Sequence, residues 1–189
     1  MGDQKTRKIS SIAKNGISKA KYSRLLYRIG QMLEPKIILE LGTSLGINTL
    51  YLSASYPQAK VYTFEGCVET ARLAQDLFKN WKLDNINLVQ GNIDDTLPAW
   101  LKQVNRVDFA YIDANHRYQP TLDYFQGIHD KAHSESIIAL DDIYWSAGMA
   151  RAWQHIKSQD EVSLSLDFFE LGIVLFQDLQ IKQHYDLMY

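Results

Sequence analysis

One cysteine, Cys67, stands among 189 residues. A lone thiol makes no internal disulfide and no cysteine-caged zinc centre, and a reducing cytoplasm becomes the expected compartment. Prolines number four, and no apolar run approaches the roughly 20 residues of a membrane span. The amino-terminal MGDQKTRKIS has no apolar core of the kind a secretion signal needs, so no membrane partner is expected. Charge of one sign is scarce too: 20 Lys/Arg against 22 Asp/Glu leave a net −2. What is present is a hydrophobic content of 46% with 22% charged residues, the composition of a folded globular chain. The length suits one compact domain with a substantial core.

The charge is unevenly spread. Residues 1–36 hold nine Lys/Arg and two acids, whereas the remainder holds eleven Lys/Arg and twenty acids. A basic arm can meet nucleic acid, anionic lipid or an acidic partner. No aromatic–basic interleaving accompanies this one, so nucleic acid is disfavoured and a solvated helical face preferred. The arm, residues 1–35, reads as one or two helices interrupted near Asn15-Gly16 and ended by Glu34-Pro35. Ile17, Tyr22, Leu25, Leu26, Ile29 and Met32 share a face.

From residue 36 to 189 strands and helices alternate. Strands are expected at Ile37–Leu41, Lys60–Glu65, Ile86–Gln90, Val107–Asp113 and Ser136–Asp142. Helices are expected at Gly46–Ser55, Val68–Trp81, Leu97–Gln103, Thr121–Lys131 and Gly148–Ser158. Runs such as KIILEL and SIIALDD are nearly continuous in apolar residues, as in strands of a parallel sheet covered by helices on both faces. The end, VSLSLDFFELGIVLFQD, reads as strands Ser163–Phe169 and Ile173–Gln177 joined by a turn at Glu170 to Gly172. So short a connection makes an antiparallel hairpin.

In open parallel sheets ligands bind at the carboxyl ends of the strands. Those ends carry Glu40 and the Gly42-Thr43-Ser44-Leu45-Gly46 turn, then Glu65-Gly66-Cys67, then Gly91-Asn92-Ile93-Asp94. The fourth carries Asp113, Asn115 and His116, and the fifth Asp141-Asp142. Glu65 lies 23 residues beyond Gly42, an offset at which an acid can accept hydrogen bonds from both hydroxyls of a ribose. Ser44 stands where the dinucleotide fingerprint has its second glycine, which points to a nucleoside ligand without a diphosphate.

LELGTSLGINTL, TFEG, GNIDDTLP, YIDANHRY and ALDDIYWS, in that order and with the closing hairpin, resemble the class I S-adenosylmethionine-dependent methyltransferases. Within them the chain is similar to the small catechol- and sugar-type O-methyltransferases, over residues 36–178. The resemblance implies a Rossmann-like three-layer α/β sandwich with a seven-stranded, mostly parallel sheet of order 3-2-1-4-5-7-6 and a C-terminal antiparallel hairpin. It implies S-adenosylmethionine as cofactor. Glu40, Gly42, Thr43, Ser44 and Gly46 would meet its methionine part and Glu65, with Gly66 beside it, its ribose. Asn92, Ile93 and Asp94 would flank the adenine, with Asp113 completing the set. In metal-dependent members an Asp after strand four and an Asp-Asn pair after strand five hold magnesium or calcium. The corresponding positions are Asp113, Asp141 and Asp142, the last an Asp in place of Asn. His116 takes the place of the lysine that acts as base in the catechol enzymes.

The chemistry this implies is in-line methyl transfer to a small hydroxylated acceptor, for which a proton must leave the acceptor. Duller roles stand beside these. The glycine turn could be a bare strand–helix connection, Glu65 a neighbour to a helix cap, and Asp141-Asp142 a cap or a partner for Arg117 or Arg151. Tyr144-Trp145 could line the acceptor pocket, though aromatics after a core strand are more often packing; Cys67 reads as a small buried residue beside the cofactor loop, and His129, His133, His155 and His184 as surface. Two alternatives remain open: a nicotinamide-dependent oxidoreductase, and a non-catalytic cofactor-binding domain acting through the basic arm. Few insertions interrupt the fold, so the acceptor site is expected to be open or completed by a second subunit in a homodimer.

Overall fold

A computed structural model describes residues 19–179 and 181–189. The helices expected within 9–18, Ile17 and the basic segment before Lys19 lie outside the described residues. The elements are α1 (Ala20–Leu33), β1 (Ile37–Leu41), α2 (Ile47–Ser55), β2 (Lys60–Glu65), α3 (Val68–Asn80), β3 (Ile86–Gln90), α4 (Ile93–Leu101), β4 (Phe109–Ile112), α5 (Tyr118–His129), β5 (Ile137–Asp141), α6 (Ala147–Ser158), β6 (Leu164–Asp167), β7 (Leu171–Leu175) and β8 (Gln183–Asp186).

One sheet runs β3-β2-β1-β4-β5-β7-β6-β8. The first five strands are parallel, and β7 is antiparallel to both β5 and β6. Successive residues of β1 and β4 serve opposite faces, as strand geometry requires. Ile38, Phe109 and Tyr111 pack with Tyr22, Leu26 and Ile29 of α1 and Leu52 of α2. Leu39, Leu41, Ala110 and Ile112 pack with Trp100 of α4, Phe125 and Ile128 of α5, and Trp153 and Ile156 of α6. This is the expected three-layer sandwich. Among the described residues no helix is long and apolar enough to cross a membrane.

Four expectations about the elements and their faces need correction. The sheet has eight strands, not seven: β8 pairs in parallel with β6. Its residues are all exposed, so no alternation marked it. The hairpin turn falls at Phe168–Glu170 rather than Glu170–Gly172. Phe169 takes the left-handed backbone (φ 72) that a turn glycine would usually supply. Gly172 instead lies in β7 beneath Trp153, where a Cβ would come 2.8 Å from the indole. Met32 faces solvent (76% exposed) because the face of α1 that packs is set by Tyr22, Leu26 and Ile29. Finally, α4 begins at Ile93 with Pro98 inside it, capped by Asn92, whose side chain accepts from Asp94 N.

The opposite, amino edge of the sheet is pinned by Asp108, which is 2% exposed. It accepts the Lys36 and Ile37 N–H groups at 3.0 and 2.7 Å and also binds Arg106 and His133. His133 is therefore half-buried and paired rather than a surface residue.

Gly172→Ala should destabilise the fold by about 1–3 kcal/mol, the usual cost of overpacking beside a buried ring that cannot retreat. The urea midpoint should fall with the denaturant slope unchanged.

Candidate active site

The turn after β1 is shaped first by protein neighbours. Gly42 (φ 97) passes so close to β4 that a Cβ would lie 2.0 Å from the Asp113 carbonyl oxygen. At Gly46 (φ 81) a Cβ would strike the Phe78 ring of α3 at 2.7 Å. Both glycines are required before any ligand arrives. The Gly42 and Thr43 N–H groups donate to Phe64 O at 3.0 Å each, which fastens the turn to β2.

Glu65 ends β2 half-buried, and its carboxylate grips the turn. Ser44 N donates to Oε2 at 2.9 Å and Cys67 N to Oε1 at 2.8 Å. Two backbone donors hold the carboxylate in one orientation at the cleft, with lone pairs to spare. Cys67 is exposed, not buried: its backbone serves Glu65, and its thiol reaches only Glu69, at 3.2 Å. Gly66 is exposed and leaves room beside it, since a Cβ there would meet only Gly91 O at 3.7 Å.

Glu40 lies beneath the turn rather than in the cleft, with 0% exposure. It accepts from Asn48 Nδ2 (3.0 Å), Thr49 Oγ1 (2.5 Å) and Thr63 Oγ1 (2.6 Å), and Thr63 bonds in turn to Thr43 (2.6 Å). Burial pushes its pKa up to about 7 against the opposing pull of these three donors. Neutral Glu40 can donate from Oε1. A half-turn of the Asn48 amide would then give that proton to Oδ1, the one buried side-chain polar atom without a partner among the described residues.

Beyond β4 the chain makes two successive left-handed residues, Asn115 (φ 67) and His116 (φ 39). His116 folds back so that Nε2 lies 3.3 Å from Asp113 Oδ1. A carboxylate only accepts, so Nε2 carries hydrogen and Nδ1 keeps the basic lone pair. Burial would lower the His116 pKa, but the Asp113 bond and the charges of Asp113, Asp142 and Asp141 hold it above its ordinary value. Asp142, left-handed at φ 55, is raised by burial and by Asp113 and Glu170, with His116 and Lys19 pulling the other way.

The expected metal trio comes to adjacent strand ends but is not gathered about one point. Asp113 faces His116 and Tyr111 (3.5 Å), and among the described residues the trio's ligand atoms do not all lie within 4.8 Å of one another. Among the described residues the set whose ligand atoms all lie within 4.8 Å is Asp167, His184 and Asp186, on β6 and β8 further along the sheet edge. Asp167 there already accepts from Tyr144 (2.6 Å), Trp153 (2.8 Å) and Phe169 N (2.9 Å).

After β3, Asn92 caps α4, Ile93 is half-buried against the core, and Asp94 is exposed. Sequence reasoning missed Tyr124 of α5, whose hydroxyl donates to Asp94 Oδ1 and accepts from Asn115 Nδ2 at 2.9 Å. No local pattern marks a tyrosine whose partners lie nine and thirty residues away. Of the aromatic pair weighed between acceptor lining and packing, Trp145 is 72% exposed, and Tyr144 packs on the 71% exposed Phe169, which the sequence did not single out, with ring centres 5.7 Å apart.

Compared with known proteins, residues 39–143 match the methyltransferase domain family. The chain belongs to that family. This methyltransferase domain is 31% identical over 120 residues to a probable O-methyltransferase of Mycobacterium tuberculosis, a stretch covering 58% of this chain and 50% of that one. It thus spans about half the length of that curated relative. Its fold matches the O-methyltransferase from Bacillus cereus in complex with S-adenosylhomocysteine (TM-score 0.74, 18% identity, 91% of this chain and 93% of that one). It also matches TomG from Streptomyces achromogenes in complex with S-adenosylmethionine (TM-score 0.75, 16% identity, 92% and 91%). Family membership displaces the oxidoreductase alternative for this methyltransferase domain.

The buried Glu40 carboxyl gives a pH test. Its folded pKa is raised above the ordinary 4.5, so the native state binds the extra proton between about pH 4.5 and 7. Stability from this group is therefore present below that window and lost as pH rises through it, by roughly 3 kcal/mol at most. Glu40→Gln, neutral throughout, should flatten this fall in a urea-denaturation series from pH 5 to 8 and be the more stable protein at pH 8.

Proposed function

We propose that this domain transfers a methyl group from S-adenosylmethionine to the hydroxyl of a small acceptor. The observation that carries the reading is the pairing, at one sheet edge, of a turn-held carboxylate, Glu65, with the His116–Asp113 dyad across the Gly42 contact. Glu65 would hold the ribose hydroxyls. Thr43, Ser44 and the backbone from Gly42 to Gly46 would lie along the methionine part. Gly66, Asn92, Ile93 and Asp94 would border the adenine, and Asp113 the cleft floor. Glu40 acts from below by fixing Thr63, Thr49 and Asn48. The bound sulfonium supplies an electrophilic methyl carbon. His116 Nδ1 takes the acceptor's proton as the oxygen gains the methyl group, and Asp113, Asp141 and Asp142 stabilise the imidazolium formed.

A magnesium or calcium ion fits the acidic trio in ligand kind but not in arrangement, so no step is routed through metal. The trio's counter-charge in this reading is His116 itself. A soluble small-molecule acceptor, a cytoplasmic setting and a homodimer that completes the acceptor side belong to the same reading.

Calorimetry with S-adenosylhomocysteine tests the cofactor half. Glu65→Ala should weaken binding by roughly 2–4 kcal/mol, with Glu65→Gln intermediate because it keeps one acceptor for Ser44. Unchanged affinity in folded variants sinks the ribose assignment. For the chemistry, methyl incorporation into a metabolite extract should drop by roughly 10²–10⁴-fold in His116→Ala and persist in chelator. Turnover should rise with pH through a midpoint above the ordinary 6.5 of imidazole, because His116 must lose its proton first. Loss of turnover in chelator, restored by magnesium, would reinstate the metal.

A further inference from the structure

Four side chains from the segments that follow β3 and β4 form a hydrogen-bond chain whose every direction is forced. Arg117 can only donate, and its Nε and Nη2 both reach Asn115 Oδ1, the former at 2.9 Å. Asn115 must therefore present its amide Nδ2 to Tyr124, whose oxygen accepts at 2.9 Å. With its oxygen so engaged, the Tyr124 hydroxyl hydrogen goes to Asp94 Oδ1. The chain thus runs from guanidinium to carboxylate with each donor matched to one acceptor and no alternative amide orientation. Its ends differ in kind. Asn115 sits in a left-handed turn beside His116, whereas Asp94 opens the first turn of α4 and is exposed on the cleft. Tyr124 itself is buried, at 5% exposure, and cannot follow Asp94 if the carboxylate rotates.

We propose that Tyr124, held in direction by Asn115 and Arg117, is the positioning residue that makes the site selective for adenine. By occupying Asp94 Oδ1 it leaves Oδ2, which has no protein donor among the described residues, to accept from the exocyclic amino group of the base. This rests on the methyltransferase reading above. Without the Tyr124 hydroxyl the carboxylate is free to turn, and an acceptor that turns discriminates poorly between a base that donates at that position and one that does not. The same logic makes Asn115 an indirect determinant. An aspartate there would still hold Arg117 but could only accept, and would draw the Tyr124 hydrogen away from Asp94.

The test compares S-adenosylhomocysteine with S-inosylhomocysteine, whose base carries an oxygen in place of the amino group, by calorimetry on the full chain. The wild type should prefer the adenosyl compound by about tenfold or more, the scale of one hydrogen bond to a charged group. Tyr124→Phe and Asn115→Asp should each cut the preference to less than about threefold, while affinity for the inosyl compound changes little. A purely structural role would lower the melting temperature and weaken both ligands alike, leaving the ratio intact, and that result overturns the proposal. A wild type that binds both compounds equally well also overturns it and leaves the cofactor reading standing. A wild type that binds neither removes both. Should Tyr124→Phe fail to fold, Asn115→Asp, in a half-buried loop outside the core, decides alone.

Discussion

Where the chain leaves β1 it runs against the carbonyl of Asp113 with no space for even a methyl group at Gly42. That contact holds the exits of β1 and β4 together, and the two halves of the site hang from it. On one side the turn swings Ser44 to Glu65 and so ties β1 to β2. On the other, Asp113 begins the reverse bend that brings His116 back over its own carboxylate. A wider gap between the strands would separate Glu65 from the His116–Asp113 pair, the two halves of the proposed site. Orientation of this kind lowers a displacement barrier because the entropy of alignment is spent in folding.

The turn is braced from beneath as well. Glu40 is enclosed, yet its three donors come from two different elements: Asn48 and Thr49 at the head of α2 and Thr63 in β2. A buried acid so placed fixes the angle between strand and helix more sharply than an apolar residue could, since hydrogen bonds are directional where dispersion is not. The burial energy that raises its pKa is the cost of that definition.

Much of this could be read from the residues alone, and what could not has physical causes. Strands β1, β2 and β3 were readable to the residue: β1 is a nearly continuous apolar run, and β2 and β3 are short stretches with β-branched and aromatic residues closed by turn residues. The strand ends likewise announced Glu65, Asp113 and Asp141 by placing acids after apolar runs. The polar edge strand β8 was hidden because pairing through backbone alone leaves no side-chain period. The hairpin slipped because a phenylalanine performs what glycine usually does. Tyr124 was invisible for a different reason: its partners are assembled by the fold, and single-sequence patterns report only neighbours along the chain. The burial of Glu40 is hidden for another reason: sequence shows that an acid lies in an apolar run, not which way its side chain points.

Seven non-glycine residues among those described have a left-handed backbone, and five of them, Ser44, Asn115, His116, Asp142 and Phe169, lie along the carboxyl edge of the sheet. Each costs on the order of 1 kcal/mol relative to relaxed backbone, more for the bulky ones. The amino edge, by contrast, is knotted by Asp108 and its four partners in ordinary geometry. The molecule is thus taut at one end, where left-handed residues gather, and pinned by Asp108 at the other. Selection for greater thermal stability would find its easiest gains at the taut end, in the segments that present Ser44, His116 and Asp142 to the cleft. In this domain the strained loops and the candidate site are the same few segments.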